Sequence, residues 1–292
     1  MSPAATHDAY VFVGGVDVSY ACLAALCEMG HLPGLAVGYG EGFHGASAAA
    51  DLEPLARKFG FPLLRVSNTN DPAVVHQIGA LQPRLMYVIG WSQLIHKPLL
   101  DLPTYGCVGI HPTKLPEGRG RAPIPWTILK GLDQTASTMF FLTEGVDDGD
   151  VIGQIELVVE AREDAGALYD KHRAAHVELV RRHHEALVTG AADALPQEHR
   201  LATYWPRRRP EDGRIDWARP VDEVDRLVRA LTHPFPGAFT EVDGQRAVIW
   251  RAEPAAHVDA KPGSVLRHDG STVIACGRGA LRILKSDPPL LS

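Results

Sequence analysis

Asparagine is almost absent from this chain: of 292 residues, only Asn68 and Asn70 carry that side-chain amide. Cysteine is sparse as well. Cys22, Cys27, Cys107 and Cys276 have neither the CxxC spacing of a metal site nor the density of a disulfide scaffold. They read as reduced, mostly buried thiols, as expected of a cytoplasmic protein. No stretch approaches the roughly 18 apolar residues that a membrane span requires. The start, MSPAATHDAY, lacks a basic n-region, and the apolar run after it is broken by Gly14, Gly15 and Asp17. No signal peptide is therefore expected. Positive charge is in deficit too, with 29 Lys plus Arg against 35 Asp plus Glu and a formal net charge of −6. Extensive phosphate binding needs a clustered basic field, so these totals point away from nucleic acid, and nothing points to a membrane.

What is present fits a folded globular protein, at 45% hydrophobic and 22% charged residues. At roughly 100–200 residues per domain, the length predicts two domains. The first half alternates strand and helix. YVFVGG (10–15) reads as a strand, followed by a helix with Tyr20, Leu23, Ala24 and Cys27 on one face and Gly30 as its stop. LPGLAVGYG (32–40) is a second strand, 47–59 a helix and FPLLRVS (61–67) a third strand. DPAVVHQIGAL (71–81) is a helix with Asp71 as N-cap and Pro72 at its first position. RLMYVIG (84–90) is the near-continuous apolar run of a strand covered on both faces. Another strand ends at His111, a helix lies near 122–131, two β runs fill 135–143 and 150–159, and a long helix covers 164–188.

The composition changes near 190. After one helix (221–231), short β runs alternate with Gly and Asp turns. The fold expected is α/β: a Rossmann-like open, mostly parallel sheet with helices on both faces, followed by a small OB-like β-barrel. The corresponding boundaries are 1–190 for the catalytic domain, 191–203 for a linker and 204–292 for the C-terminal domain.

Three stretches carry chemistry. In GCVGIHPTKLPEGRGRAPIPW (106–126), His111 leaves an apolar strand and enters a loop stiffened by prolines. Ligands of open α/β sheets bind beyond the carboxyl ends of strands, and an imidazole titrates near neutrality, as proton transfer demands. A histidine taken at random from the fourteen present is more often structural; the context of His111 reverses those odds. TEGVDDGDVIGQ (143–154) sets Asp147, Asp148 and Asp150 in a turn between β runs, where one carboxylate can orient a histidine. Alone, it reads more readily as a solvated acidic turn. IGWSQLI (89–95) offers Trp91 and Leu94 as an apolar wall for a flat heterocycle, with Ser92 and Gln93 as polar contacts, although strand-end aromatics more often belong to a core. VGGVDVSYA matches neither GxGxxG nor GxxxxGK[ST], which excludes a dinucleotide or P-loop site.

Taken together, GIHPTKLP (109–116), RGRAP (119–123), Asp147-Asp148-Gly149 and PFPGAFT (234–240) resemble the folate-dependent formyltransferase family. That family acts on methionyl-tRNA, glycinamide ribonucleotide or amino sugars. The resemblance implies His111 as general acid/base and Asp147 as the carboxylate that polarises it. It implies a pterin site for 10-formyltetrahydrofolate, the co-substrate, from Met86, Gly90, Trp91, Ser92, Gln93 and Leu94 together with Thr143, Glu144, Val146 and Asp150. Pro112, Thr113, Arg119 and Arg121 should face the acceptor, where guanidinium groups grip phosphate or carboxylate. No metal is implied. Gly109 departs from the family, which carries there an asparagine that donates to the oxyanion formed as the amine attacks. Losing such a donor costs on the order of 10²–10³ in rate.

The expected activity is N-formyl transfer to a small-molecule amine, first of all a nucleotide-linked amino sugar. tRNA-acting relatives carry a basic loop where GYGEGFHGASAAADL (38–52) has no Lys or Arg, so tRNA is not the expected acceptor. The alternatives are an amino acid, hydroxylamine or aminoacyl-tRNA acceptor, a 10-formyltetrahydrofolate hydrolase, or a non-catalytic folate-binding scaffold in which Gly109 marks lost activity. A homodimer is compatible with all of them.

Overall fold

The computed structural model describes residues 7–40, 48–242, 244–268 and 270–290. Strand and helix alternate through β1 (His7–Val13), α1 (Asp17–Glu28), β2 (Leu32–Tyr39), α2 (Glu53–Phe59), β3 (Leu63–Val66), α3 (Pro72–Ala80) and β4 (Leu85–Val88). A short helix unmarked in the sequence pattern, α4 (Lys97–Leu100), precedes β5 (Cys107–His111). Then come β6 (Arg119–Gly120), α5 (Pro123–Leu129), β7 (Gln134–Phe141), β8 (Val151–Val158), α6 (Ala165–Thr189) and β9 (Tyr204–Trp205). The chain closes with α7 (Val221–Leu231), β10 (Ala238–Val242), β11 (Gln245–Ala255), β12 (Val265–His268), β13 (Ser271–Ala275) and β14 (Ala280–Asp287).

Local chemistry sets several of these boundaries. The Asp71 carboxylate accepts the Ala73 N–H at 2.9 Å, and Pro72 opens α3, because a side-chain oxygen satisfies an orphan donor and proline has none to satisfy. The helix expected over 47–59 is shorter. It starts at Glu53 with Pro54 in its first turn, and Ser47 lies outside the described residues.

By contacts the chain forms two compact units, one of Met1–Gly120, Ala136–Leu157 and Lys171–Tyr204, the other of Arg121–Thr135, Val158–Asp170 and Trp205–Ser292. The first unit holds a seven-stranded sheet in the order β3-β2-β1-β4-β5-β7-β8. Neighbours from β3 to β5 run parallel, whereas β7 is antiparallel to β5, setting Thr138 opposite His111 and Phe140 opposite Gly109. The mostly parallel α/β architecture expected from the sequence is therefore present. Val11, Val13, Val37, Ile78, Met86 and Cys107 form one buried apolar cluster. The order reverses between β1 and β4, which places the ligand-binding crevice of such sheets at their carboxyl ends.

In the second unit, five antiparallel strands pair in the order β10-β11-β14-β13-β12, with β10 and β12 at the two ends of that order. Val224, Val228 and Leu231 of α7 pack with Ile249, Ile274 and Leu281. Ile124 and Ile128 of α5, and Val159 and Leu168, join the same cluster. Those two stretches thus count with the second unit, although local sequence groups them with residues 1–190, because long-range burial decides their affiliation. All four cysteines are free and buried. Burial pushes the Cys107 thiol up to about 12 and that of Cys276 up to about 11. Among the described residues no helix is long and apolar enough to cross a membrane.

Candidate active site

His111 is the last residue of β5 and is 8% exposed. Its Nε2 lies 2.9 Å from the Gly118 carbonyl, and its Nδ1 lies 3.7 Å from Asp147 Oδ2. The second separation suits an ion pair and exceeds a hydrogen bond; catalytic contacts often stand this far apart before substrate closes them. An acceptor faces each ring nitrogen, so the proton has a partner at either one.

Asp147 reaches His111 from the turn after β7. Its backbone is left-handed, with φ +49°, a conformation that aspartate tolerates better than most residues. The Gly120 N–H donates to Asp147 Oδ2 at 2.8 Å. The Gln197 amide donates to the carbonyls of Asp147 at 2.9 Å and Gly149 at 2.7 Å. Gln197 is buried in the stretch read as a linker, and no local pattern marks it there. Thr143, expected at the pterin, is engaged inside the turn: its hydroxyl donates to Asp148 and accepts the Gly145 N–H. Glu144, Val146 and Asp150 are exposed.

At Gly109, two residues before His111, an added Cβ would stand 2.8 Å from Leu142 Cδ2. Leu142 therefore fills the space that a side chain at 109 would take. Neither asparagine is idle. The Asn70 amide donates to Leu94 O at 2.8 Å and accepts the His96 N–H, while Asn68 accepts the Asn70 N–H.

The loop after β4 is built as a rigid wall. Trp91 stacks on Tyr39 with ring centroids 3.9 Å apart and 12° between planes. Tyr39 lies directly over Gly15, where a Cβ would come 2.3 Å from its ring. Trp91 Nε1–H donates to Thr69 Oγ1 at 2.7 Å, and Thr69 donates twice to Gln93 Oε1. Gln93 Nε2 donates to Ser67 O, and Ser92 is hydrogen-bonded to Tyr39. Gln93, expected to contact a heterocycle, thus braces the loop, while Leu94 projects outward at 72% exposure. Ser19 Oγ accepts the N–H groups of Gly15 and Val16 and donates to Ile89 O at 2.6 Å. The donors of the β1–α1 turn are therefore occupied, in keeping with the absence of a phosphate-loop motif.

Several expected contacts fall elsewhere. Met86 is wholly buried in the core of the first unit, so it cannot touch a ligand directly. Thr113 is buried, its carbonyl accepting from Thr138 Oγ1 at 2.6 Å and its own hydroxyl unpartnered. Arg119 is 1% exposed, and its guanidinium donates to Gln197 Oε1, Tyr204 OH and His199 Nδ1. Three distant acceptors converge on it, so it faces inward rather than toward an acceptor. Pro112 is half-buried and Arg121 exposed. Gly90 follows directly on Ile89 in the wall loop, with φ +61°.

Further inside the same unit, His172 and His176 on α6 share Ser137, whose Oγ lies 2.9 Å from one Nδ1 and 3.1 Å from the other. Burial pushes both below the usual imidazole range, His176 to about 4, and a charge on His111 acts in the same direction. Among the described residues no group of three or more His, Cys, Asp or Glu is arranged to hold a metal ion.

Comparison with known proteins bears on this arrangement. Residues 35–183 match the family described as formyl transferase, and residues 208–289 its C-terminal domain. The methionyl-tRNA formyltransferase of Geobacillus thermodenitrificans is 36% identical over 80% of this chain and 74% of its own length. Among solved structures, HypX from Aquifex aeolicus in complex with tetrahydrofolic acid superposes with a TM-score of 0.72 at 21% identity, over 96% of this chain. This chain spans under half of HypX, 44% of its length. The N-formyltransferase from Helicobacter canadensis, solved with folinic acid and dTDP-3-aminofucose, gives a TM-score of 0.68 at 12% identity over 96% of this chain and all of its own. At such identities the two structures speak for the fold.

Proposed function

The chain belongs to the formyl transferase family, and from that premise we propose that it moves a formyl group from 10-formyltetrahydrofolate to a small-molecule amine. The observation that carries this reading is the approach of His111 Nδ1 to Asp147 Oδ2, at 3.7 Å, with Gly118 O on the other ring nitrogen. In the reaction a C–N bond forms to the acceptor and the C–N bond to folate N10 breaks. The proton released by the attacking amine must reach the departing nitrogen. His111 carries it, and the Asp147 carboxylate stabilises the imidazolium in between. Exposed Leu94 and Val146 supply apolar contact for the pterin beside the Tyr39–Trp91 stack.

The acceptor proposed first is a nucleotide-linked amino sugar. Burial of Arg119 removes one of the two arginines expected to grip its phosphates. Within the second unit, Arg208 lies over the Trp126 ring at 5.1 Å, and Arg207 and Arg209 are exposed beside it. Arginine beside an aromatic ring suits a phosphate next to a base. The same residues and the 36% identity to a methionyl-tRNA formyltransferase favour a second reading, with methionyl-tRNA as acceptor. Against it stands the lack of Lys and Arg in 38–52, a stretch of which residues 41–47 lie outside the described residues.

The test is formyl transfer by the purified protein from 10-formyltetrahydrofolate to a panel holding nucleotide-linked amino sugars, free amino acids, hydroxylamines and methionyl-tRNA. Turnover with a sugar nucleotide supports the first reading, and turnover with methionyl-tRNA alone replaces it by the second. Steady formate release without any amine identifies a hydrolase. Folate binding without turnover on any of them overturns the enzymatic reading.

A further inference from the structure

Gln197 lies outside both matched segments, is 6% exposed, and uses every polar valence of its amide. The oxygen accepts from Arg119 Nε at 3.2 Å and Nη2 at 2.6 Å. The nitrogen gives one N–H to the Asp147 carbonyl and the other to the Gly149 carbonyl. An amide is the side chain of this size that both donates twice and accepts twice. Arg119 is itself held, through Tyr204 OH, His199 Nδ1 and its backbone N–H on Thr203 O at 2.9 Å. The Gly120 N–H beside it donates to Asp147 Oδ2. A single buried unit therefore grips the Asp147 turn at two backbone carbonyls and at the carboxylate.

We infer that Gln197 is a positioning residue for formyl transfer: anchored by Arg119, it locks the left-handed Asp147 turn and so sets the carboxylate opposite His111. The inference rests on the roles proposed above for His111 and Asp147. A left-handed aspartate persists where its surroundings over-determine it, and an error of about 1 Å in a catalytic group costs on the order of 10² in rate.

The partners of Gln197 allow its two ends to be tested apart. In Gln197→Glu, a carboxylate keeps the guanidinium and loses both N–H donors, turning oxygen toward the carbonyls of Asp147 and Gly149. The guanidinium, whose side-chain partners Gln197, Tyr204 and His199 carry no negative charge, gains a counter-charge. The expected result is a folded protein with a Tm at or above that of the wild type and kcat lower by roughly 10–100-fold. KM for 10-formyltetrahydrofolate should stay within about twofold. Gln197→Met removes both ends and should lose kcat to a similar extent with a lower Tm; it decides the matter if Gln197→Glu does not fold.

Wild-type kcat in either folded Gln197 variant, alongside an impaired Asp147→Asn, overturns the inference. Wild-type kcat in Asp147→Asn instead overturns the reading of the site on which it rests.

Discussion

Two settings for buried histidine occur within one unit of this protein. His111 ends a strand, with a carboxylate facing one ring nitrogen and a carbonyl facing the other. His172 and His176 share one serine hydroxyl inside the core, and burial holds both neutral over the physiological range. A hydroxyl has a single proton to give, so Ser137 can donate to one Nδ1 while accepting from the other. Burial alone therefore makes a histidine inert, whereas a partner able to stabilise the second proton makes it useful for transfer.

The sharpest break of this comparison is substitution at the two settings. His111→Asn should lower kcat by about 10²–10⁴, the usual worth of a positioned acid/base, with folate affinity largely kept. Asp147→Asn keeps the shape and removes the charge; it should fall in the same range, because the neutral amide no longer stabilises the imidazolium. His172→Gln and His176→Gln should leave kcat near that of the wild type. Single-turnover formyl transfer with each variant is the measurement. A loss at His176 comparable to that at His111 would erase the distinction.

The second prediction concerns acid. Unfolded, an imidazole takes its proton near pH 6.5, whereas folded His176 takes it only near 4. Between those values the unfolded chain binds more protons, so the contribution of His176 to stability is complete above about pH 6.5 and disappears as the pH falls toward 4. For a shift of this size the loss is about 3 kcal/mol, and His172 adds to it in the same direction. Urea unfolding at pH 7 and pH 5 should show a smaller acid loss in the double His172→Gln, His176→Gln variant than in the wild type. An equal loss in both would refute the assignment.

The same contrast explains how much could be read before the fold was known. Strand β4 announces itself as a continuous apolar run, α3 through Asp71 and Pro72, and α7 through its periodic Val224, Val228 and Leu231, because neighbours in sequence determine each. His111 at a strand end and Asp147 in a turn were legible as types of position. The Gln197 clamp was not, since its partners lie 48 to 78 residues away and nothing in ALPQEHR distinguishes it from a linker. Arg119 misleads for a related reason. Between glycines it looks exposed, and its burial arises only when Gln197, His199 and Tyr204 come together. The sharing of Ser137 by two histidines is equally non-local, since 35 and 39 residues separate them from it.

The smallest expected effect sharpens the comparison on the strand that carries His111. Gly109 faces Leu142, and a Cβ there would stand 2.8 Å from Leu142 Cδ2 and 3.5 Å from Val88 O. Gly109→Ala should therefore cost about 1–3 kcal/mol by overpacking, toward the low end because the obstructing atom is the far end of a half-buried, flexible side chain. Leu142→Ala vacates that space. In the double variant the two losses should not add, since residues in contact couple, and the deficit should be smaller than their sum. Gly109→Asn tests the same space with a longer side chain: alone it should unfold at lower urea than the wild type, and Leu142→Ala should restore part of the difference. Full additivity in both pairs would mean that Leu142 does not occupy the place of a side chain at 109, and the absence of an amide there would need another physical cause.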